Sequence, residues 1–152
     1  DNLKRYVDEF HKVGVVPDIE TLSKSFRCSP TVCKFITNNL SISIESHRTD
    51  ETEVKYIDDL ETARQIFSDH SIVKLFYREH YNYDCFSRNW GDSKGEDKYF
   101  DVCVVLNKST LDKYSKGKLH ELPPTTKNKL YVAISRAKNN LYLIPFNLID
   151  TV

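Results

Sequence analysis

Lys129-Leu130-Tyr131-Val132-Ala133-Ile134-Ser135-Arg136-Ala137-Lys138, continued by Asn139-Asn140-Leu141-Tyr142-Leu143-Ile144, is the stretch from which the fold can be read. Leu130, Ala133, Ile134 and Ala137 stand at i, i+3, i+4 and i+7, one apolar stripe of a helix. At 3.6 residues per turn Arg136 points roughly 100–120° away from that stripe. The helix is thereby anchored while its arginine is not. In the segment that follows, Leu141 and Leu143 share one face of an extended chain and Tyr142 and Ile144 the other, so both faces are apolar. A strand of that kind is covered on both sides, and a helix running straight into it closes an αβ unit.

Working outward, Asp101-Val102-Cys103-Val104-Val105-Leu106 is apolar without alternation and is expected at the centre of a sheet. A β-rich run over 72–77 and a shorter one over 54–57 add further strands. Helices are predicted between them. Ser29-Pro30 reads as N-cap and first helical residue, with Val32, Phe35, Ile36 and Leu40 as the buried stripe. Asp58 and Asp59 cap a second helix carrying Leu60, Ala63, Ile66 and Phe67, and Thr125 or Thr126 is the expected cap of the helix around Arg136. A first amphipathic helix is expected over 2–13 and a short strand over 20–26. Residues 41–52 read as polar turns, and 108–126 as a linker or partly helical excursion. Strands alternating with helices specify an α/β fold, a mainly parallel sheet with helices on both faces.

Twenty-two basic and twenty-two acidic residues cancel. A net charge of zero gives no broad positive field, so any nucleic-acid contact must be local. A chain of 152 residues suits one domain that buries roughly 70% of its unfolded surface. No apolar run approaches the ~20 residues of a membrane span and no leader opens the chain, so a soluble, cytoplasmic protein without membrane contact is expected. Cys28, Cys33, Cys85 and Cys103 form no Cys-x-x-Cys and have no histidine at ligand spacing, so no metal site is expected. Cys33 and Cys103 fall at apolar positions and are expected as buried free thiols. The five histidines are scattered singly among polar residues and read as surface.

From spacing alone, Arg136 and Arg27 are ion-paired or surface residues. Leu130-Tyr131-Val132-Ala133-Ile134-Ser135-Arg136-Ala137-Lys138, however, resembles the last conserved motif of superfamily 1 helicases of the UvrD/Rep type. Leu22-Ser23-Lys24-Ser25-Phe26-Arg27-Cys28-Ser29, with Val32, Phe35 and Asn38, resembles the fourth motif of the same family. Ser93-Lys94-Gly95, followed by Phe100-Asp101-Val102, resembles the fifth. In this chain Glu96-Asp97-Lys98-Tyr99 separates Gly95 from Phe100 where the family has two residues, so either Glu96 or Asp97 takes the place of the usual glutamate.

The resemblance implies a RecA-like (P-loop NTPase-like) fold and the second motor domain of an ATP-dependent helicase. It implies that Arg27 and Arg136 are catalytic contacts to the γ-phosphate and that Phe26 stacks on adenine. Gly95 with Glu96 or Asp97 would touch the nucleotide, and Ser93 and Lys94 the single-stranded DNA. Trp90 stands among Tyr81, Tyr83, Phe86, Arg78 and Arg88, a mixture that either stacks unpaired bases or packs a sheet edge; it is taken here as a DNA contact. With only four glycines and no Gly-x-x-x-x-Gly-Lys-Ser/Thr, the chain cannot cradle the β- and γ-phosphates itself. ATP with Mg²⁺ would be shared with a first motor domain that holds the loop and the magnesium ligands. Residues 1–152 are then one domain of a longer chain, with 1–20 as the connection from that first domain. The rival readings are a non-catalytic α/β interaction module and a degenerate motor that binds DNA without turnover.

Overall fold

The computed structural model describes residues 24–77, 85, 87–90 and 99–149. Within them the elements run β1 (Lys24–Ser25), α1 (Pro30–Leu40), β2 (Glu45–Ser46), β3 (Val54–Tyr56), α2 (Leu60–Ser68), β4 (Ile72–Phe76), β5 (Ser87–Asn89), β6 (Asp101–Leu106), α3 (Lys108–Ser115), a 3₁₀ turn (Leu119–Glu121), α4 (Pro124–Ser135), β7 (Leu141–Pro145) and α5 (Phe146–Ile149). Five strands form one sheet in the order β3-β7-β6-β4-β5, and every pairing in it is parallel. β1 and β2 form a separate two-stranded parallel pair. This is the α/β arrangement, a parallel sheet with helices on both faces, expected from the alternation of β-rich and helical runs. The helix expected over 2–13 lies outside the described residues.

The pleat divides the apolar residues between two cores. On β6, Val102, Val104 and Leu106 face one side and Cys103 and Val105 the other; on β7, Leu141 and Leu143 oppose Ile144. The first core is closed by Val32, Ile36 and Leu40 of α1, Leu119 of the 3₁₀ turn and Leu130, Ala133 and Ile134 of α4. Ala63 and Ile66 of α2 and Ile149 of α5 close the second. Helices thus cover both faces. Each fully buried Leu, Ile or Val contributes roughly 1.5–3 kcal/mol, so β6 and β7, apolar on both sides, anchor the sheet.

The local signals for two helices hold. Ser29 is the N-cap of α1 and accepts from the Val32 amide, with Pro30 at the first position. Asp59 caps α2 by accepting from the Thr62 amide at 2.8 Å. The helix before Arg136 starts earlier than a threonine cap predicts. Pro123 occupies the N-cap position and Pro124 opens α4, so neither Thr125 nor Thr126 is the cap. Proline at the first position lacks an N–H that would go unused there and has φ already set for the helix. Residues 41–52 contain β2 as well as turns, and the 108–126 excursion resolves into α3, the 3₁₀ turn and the start of α4.

The strands begin at a common edge. Val54 and Val102 both register with Leu141, and Ile72 registers with Asp101. The loop from Arg136 to Asn140 runs along that edge into β7.

Candidate nucleotide-facing edge

The turn between β1 and α1 is built by short polar side chains. Ser25 Oγ accepts from the Arg27 amide at 3.2 Å and the Cys28 amide at 2.9 Å, which folds the chain back on itself and leaves Phe26 exposed and Arg27 half buried. Phe26 is 79% exposed, and one face of its ring stacks on His47 at a centroid separation of 4.0 Å. Ser29, wholly buried, exchanges a further hydrogen bond with Thr52. Ser46 Oγ donates to the Cys28 carbonyl at 2.6 Å, tying the turn to β2.

Arg136 stands at the C-cap of α4, half buried, its amide reaching back to the Ala133 carbonyl at 3.3 Å. The loop beyond it is pinned to the start of β6. Asn139 N–H donates to the Phe100 carbonyl at 2.9 Å, and Asp101 Oδ1 accepts from Asn139 Nδ2 at 2.9 Å and the Asn140 amide at 3.0 Å. Asn140 Oδ1 in turn accepts from the Glu53 amide at 3.0 Å, fastening the entry to β3. Asp101 is therefore a structural anchor for the arginine loop. Phe100, 67% exposed, carries the Lys138 ammonium 5.6 Å from its ring centroid.

The two arginine turns adjoin. Cys28 Sγ donates to the Ser135 carbonyl at 3.2 Å across 107 positions of sequence, so the residue after Arg27 touches the residue before Arg136. Arg48 makes a second tie, its Nη1 donating to both the Arg27 and the Lys138 carbonyls. Arg48 is itself held by Asp50, with Nε donating to Oδ1 at 2.9 Å and Nη2 to Oδ2. That charge-assisted fork raises the Arg48 pKa and lowers that of Asp50. The Cys28 thiol is lowered to about 7, first by the hydrogen bond from Cys33, with Ser25 and the positive charges of Arg27 and Arg136 adding to it against the opposing effect of burial. Cys33 is pushed up by the same hydrogen bond and by burial.

Trp90 is fully buried, its indole N–H donating to the Leu75 carbonyl at 2.9 Å and its ring edge-on to Tyr77. No face is open to a base, so Trp90 is a core residue and not a DNA contact. Ser93, Lys94, Gly95, Glu96 and Asp97 lie outside the described residues, as do Tyr81, Tyr83 and Phe86. Among the described residues no group of three or more His, Cys, Asp or Glu side chains could hold a metal ion. No helix among them is long and apolar enough to cross a membrane. Sequence reasoning did not single out Arg48, Asp50, Asn139 or Asn140. The first two sit in a polar stretch without periodicity, and the carbonyls that Arg48 meets are distant in sequence.

No known protein-family description matches the sequence. No curated protein matches it either. Among solved structures, the chain is similar to the PRRSV nsp10 helicase, with 14% identity and a TM-score of 0.47 over 80% of this chain and 23% of that one.

Proposed function

We propose that this chain is the second motor domain of an ATP-dependent superfamily 1 DNA helicase or translocase. It lends Arg27 and Arg136 to the γ-phosphate of ATP held by a first motor domain. The observation that carries the reading is the junction of the two arginine turns through Cys28 and the Ser135 carbonyl. Two cationic groups brought to one sheet edge can neutralise charge that develops on a departing phosphoryl group. The exposed ring of Phe26 beside Arg27 offers a stacking face for adenine. In this reading Gly95 with Glu96 or Asp97 lies near the nucleotide, and Ser93 and Lys94 hold the backbone of single-stranded DNA. Arginines donated across a domain interface make hydrolysis depend on closure, which couples chemistry to movement along the strand.

The test is steady-state ATP hydrolysis by the complete parent protein in the presence of single-stranded DNA. Arg136→Ala is expected to lower kcat by about 10³–10⁵-fold, the range of an arginine finger, with the fold and much of the ATP affinity retained. Arg27→Ala acts in the same direction. A parent that hydrolyses ATP equally well without Arg136 overturns the role given to that arginine, and a parent that hydrolyses no ATP with Arg136 in place leaves a degenerate motor instead.

A further inference from the structure

We infer that Arg48 is a positioning residue, a brace that sets the spacing of the two turns carrying Arg27 and Arg136; as a contribution to catalysis this rests on the function proposed above. One guanidinium nitrogen, Nη1, donates to the Arg27 carbonyl on one turn and the Lys138 carbonyl on the other. Its remaining two nitrogens are committed to the two oxygens of Asp50, so the planar group cannot rotate away from the carbonyls without breaking the fork. Ser46 Oγ, which accepts from the Arg48 amide at 2.9 Å, also donates to the Cys28 carbonyl, so the backbone bearing the brace is fastened to the first turn as well. Arg48 does not belong to either arginine turn. It reaches them across 21 and 90 positions of sequence. A lysine at this position would offer a point charge and could not serve two carbonyls and a bidentate carboxylate in one plane.

The physical consequence is pre-organisation. Two arginines on separate turns lose effectiveness if either turn drifts by about 1 Å, because misplacement of that size costs on the order of 10²-fold. The Cys28 contact joins the turns at one point only; Arg48 supplies the second, which restrains rotation about the first.

The experiment uses the complete parent protein with Arg48→Met, which keeps an apolar stem and removes every donor. Asp50→Asn is a milder companion that leaves Arg48 in place but weakens its fork. Amide hydrogen exchange is measured first, because it does not depend on any activity. Faster exchange is expected over 27–29 and 136–140 in Arg48→Met, with β6 and β7 unchanged. Unaltered exchange in both turns overturns the brace. ATP hydrolysis is then measured for Arg48→Met, Arg136→Ala and the double variant. A fall in kcat of about 10-fold or more with KM little changed is expected for Arg48→Met, a smaller fall for Asp50→Asn, and, because only Arg27 is then left to misplace, a smaller further fall when Arg48→Met is added to Arg136→Ala than it causes alone. Multiplicative losses in the double variant, or an unchanged kcat where Arg136→Ala is damaging, overturn the positioning role. A parent whose turnover is insensitive to Arg136→Ala instead overturns the role proposed for that arginine and with it the brace's part in positioning it, while the exchange result still decides whether Arg48 holds the turns.

Discussion

Lys74 occupies a position on β4 where its neighbours on the same face, Ile72 and Phe76, are core residues, and it is wholly buried. Its ammonium donates to the Asp69 carbonyl at 2.6 Å, and burial lowers its pKa. A charge taken out of water at a cost of several kcal/mol is only partly offset by one charge-assisted hydrogen bond of about 1.5–3 kcal/mol. Lys74→Met is therefore expected to be at least as stable as the natural protein at pH 7, by about 1–2 kcal/mol, since packing replaces a desolvated ion. The sign with pH follows from the lowered pKa. The unfolded chain holds this proton more tightly, so stability rises with pH from Lys74's lowered folded pKa up to the ordinary lysine value of 10.5. Urea denaturation of both proteins between pH 7 and pH 10 should show their difference shrinking across that window. A less stable Lys74→Met at pH 7, or a constant gap, contradicts the argument. Nothing in the periodicity of 72–77 marks this lysine as buried, because a strand pattern with one polar residue is equally compatible with an exposed side chain there.

The element whose ends were clearest in the sequence is α1. Ser29 and Pro30 set its start, and Val32, Ile36 and Leu40 are buried at helical spacing. Ser29 does more than cap. It is wholly buried and bonded to the half-buried Thr52, so its removal breaks that hydrogen bond as well as uncapping the helix. Ser29→Ala is expected to cost about 1–3 kcal/mol, above the ~1 kcal/mol typical of an exposed cap, in thermal or urea unfolding. A loss under about 0.5 kcal/mol would mean that the Thr52 contact contributes nothing. At the start of α4 two rules compete: threonines resemble caps, but Pro123-Pro124 already supplies the extended residue and the first helical one. β2 was missed because a strand of two residues has no alternation to detect.

At the scale of the whole molecule, α/β sheets commonly use the edge where strands end. Here the arginine turns gather at the edge where β6 and β7 begin. In the proposed function this edge faces a nucleotide held by another domain, and the purified 152-residue chain is expected to hydrolyse no ATP. Turnover by the isolated chain, measured as phosphate release, contradicts the shared-site reading. In the proposed function this chain's share of DNA affinity comes from individual contacts, because its own net charge is zero. Lys94→Ala is expected to weaken single-stranded DNA binding on every sequence and to reduce the salt dependence by about one phosphate contact. Unchanged affinity and slope assign that lysine to the surface.

The sequence by itself determined the α/β class, the central place of β6, the double-sided burial of β7 and the caps of α1 and α2, because each depends on residues within a few positions of one another. Through resemblance it also pointed to Phe26, Arg27 and Arg136, the residues on which the proposed function rests. Only the tertiary structure decided that Trp90 lies in the core, that Lys74 is buried, and that the turns around positions 27 and 136 are joined by Cys28 and bridged by Arg48. Those outcomes depend on which side of the sheet a residue packs and on partners up to 107 positions away. Periodicity specifies which face of an element is apolar; it carries no information about which distant backbone carbonyl an arginine will meet.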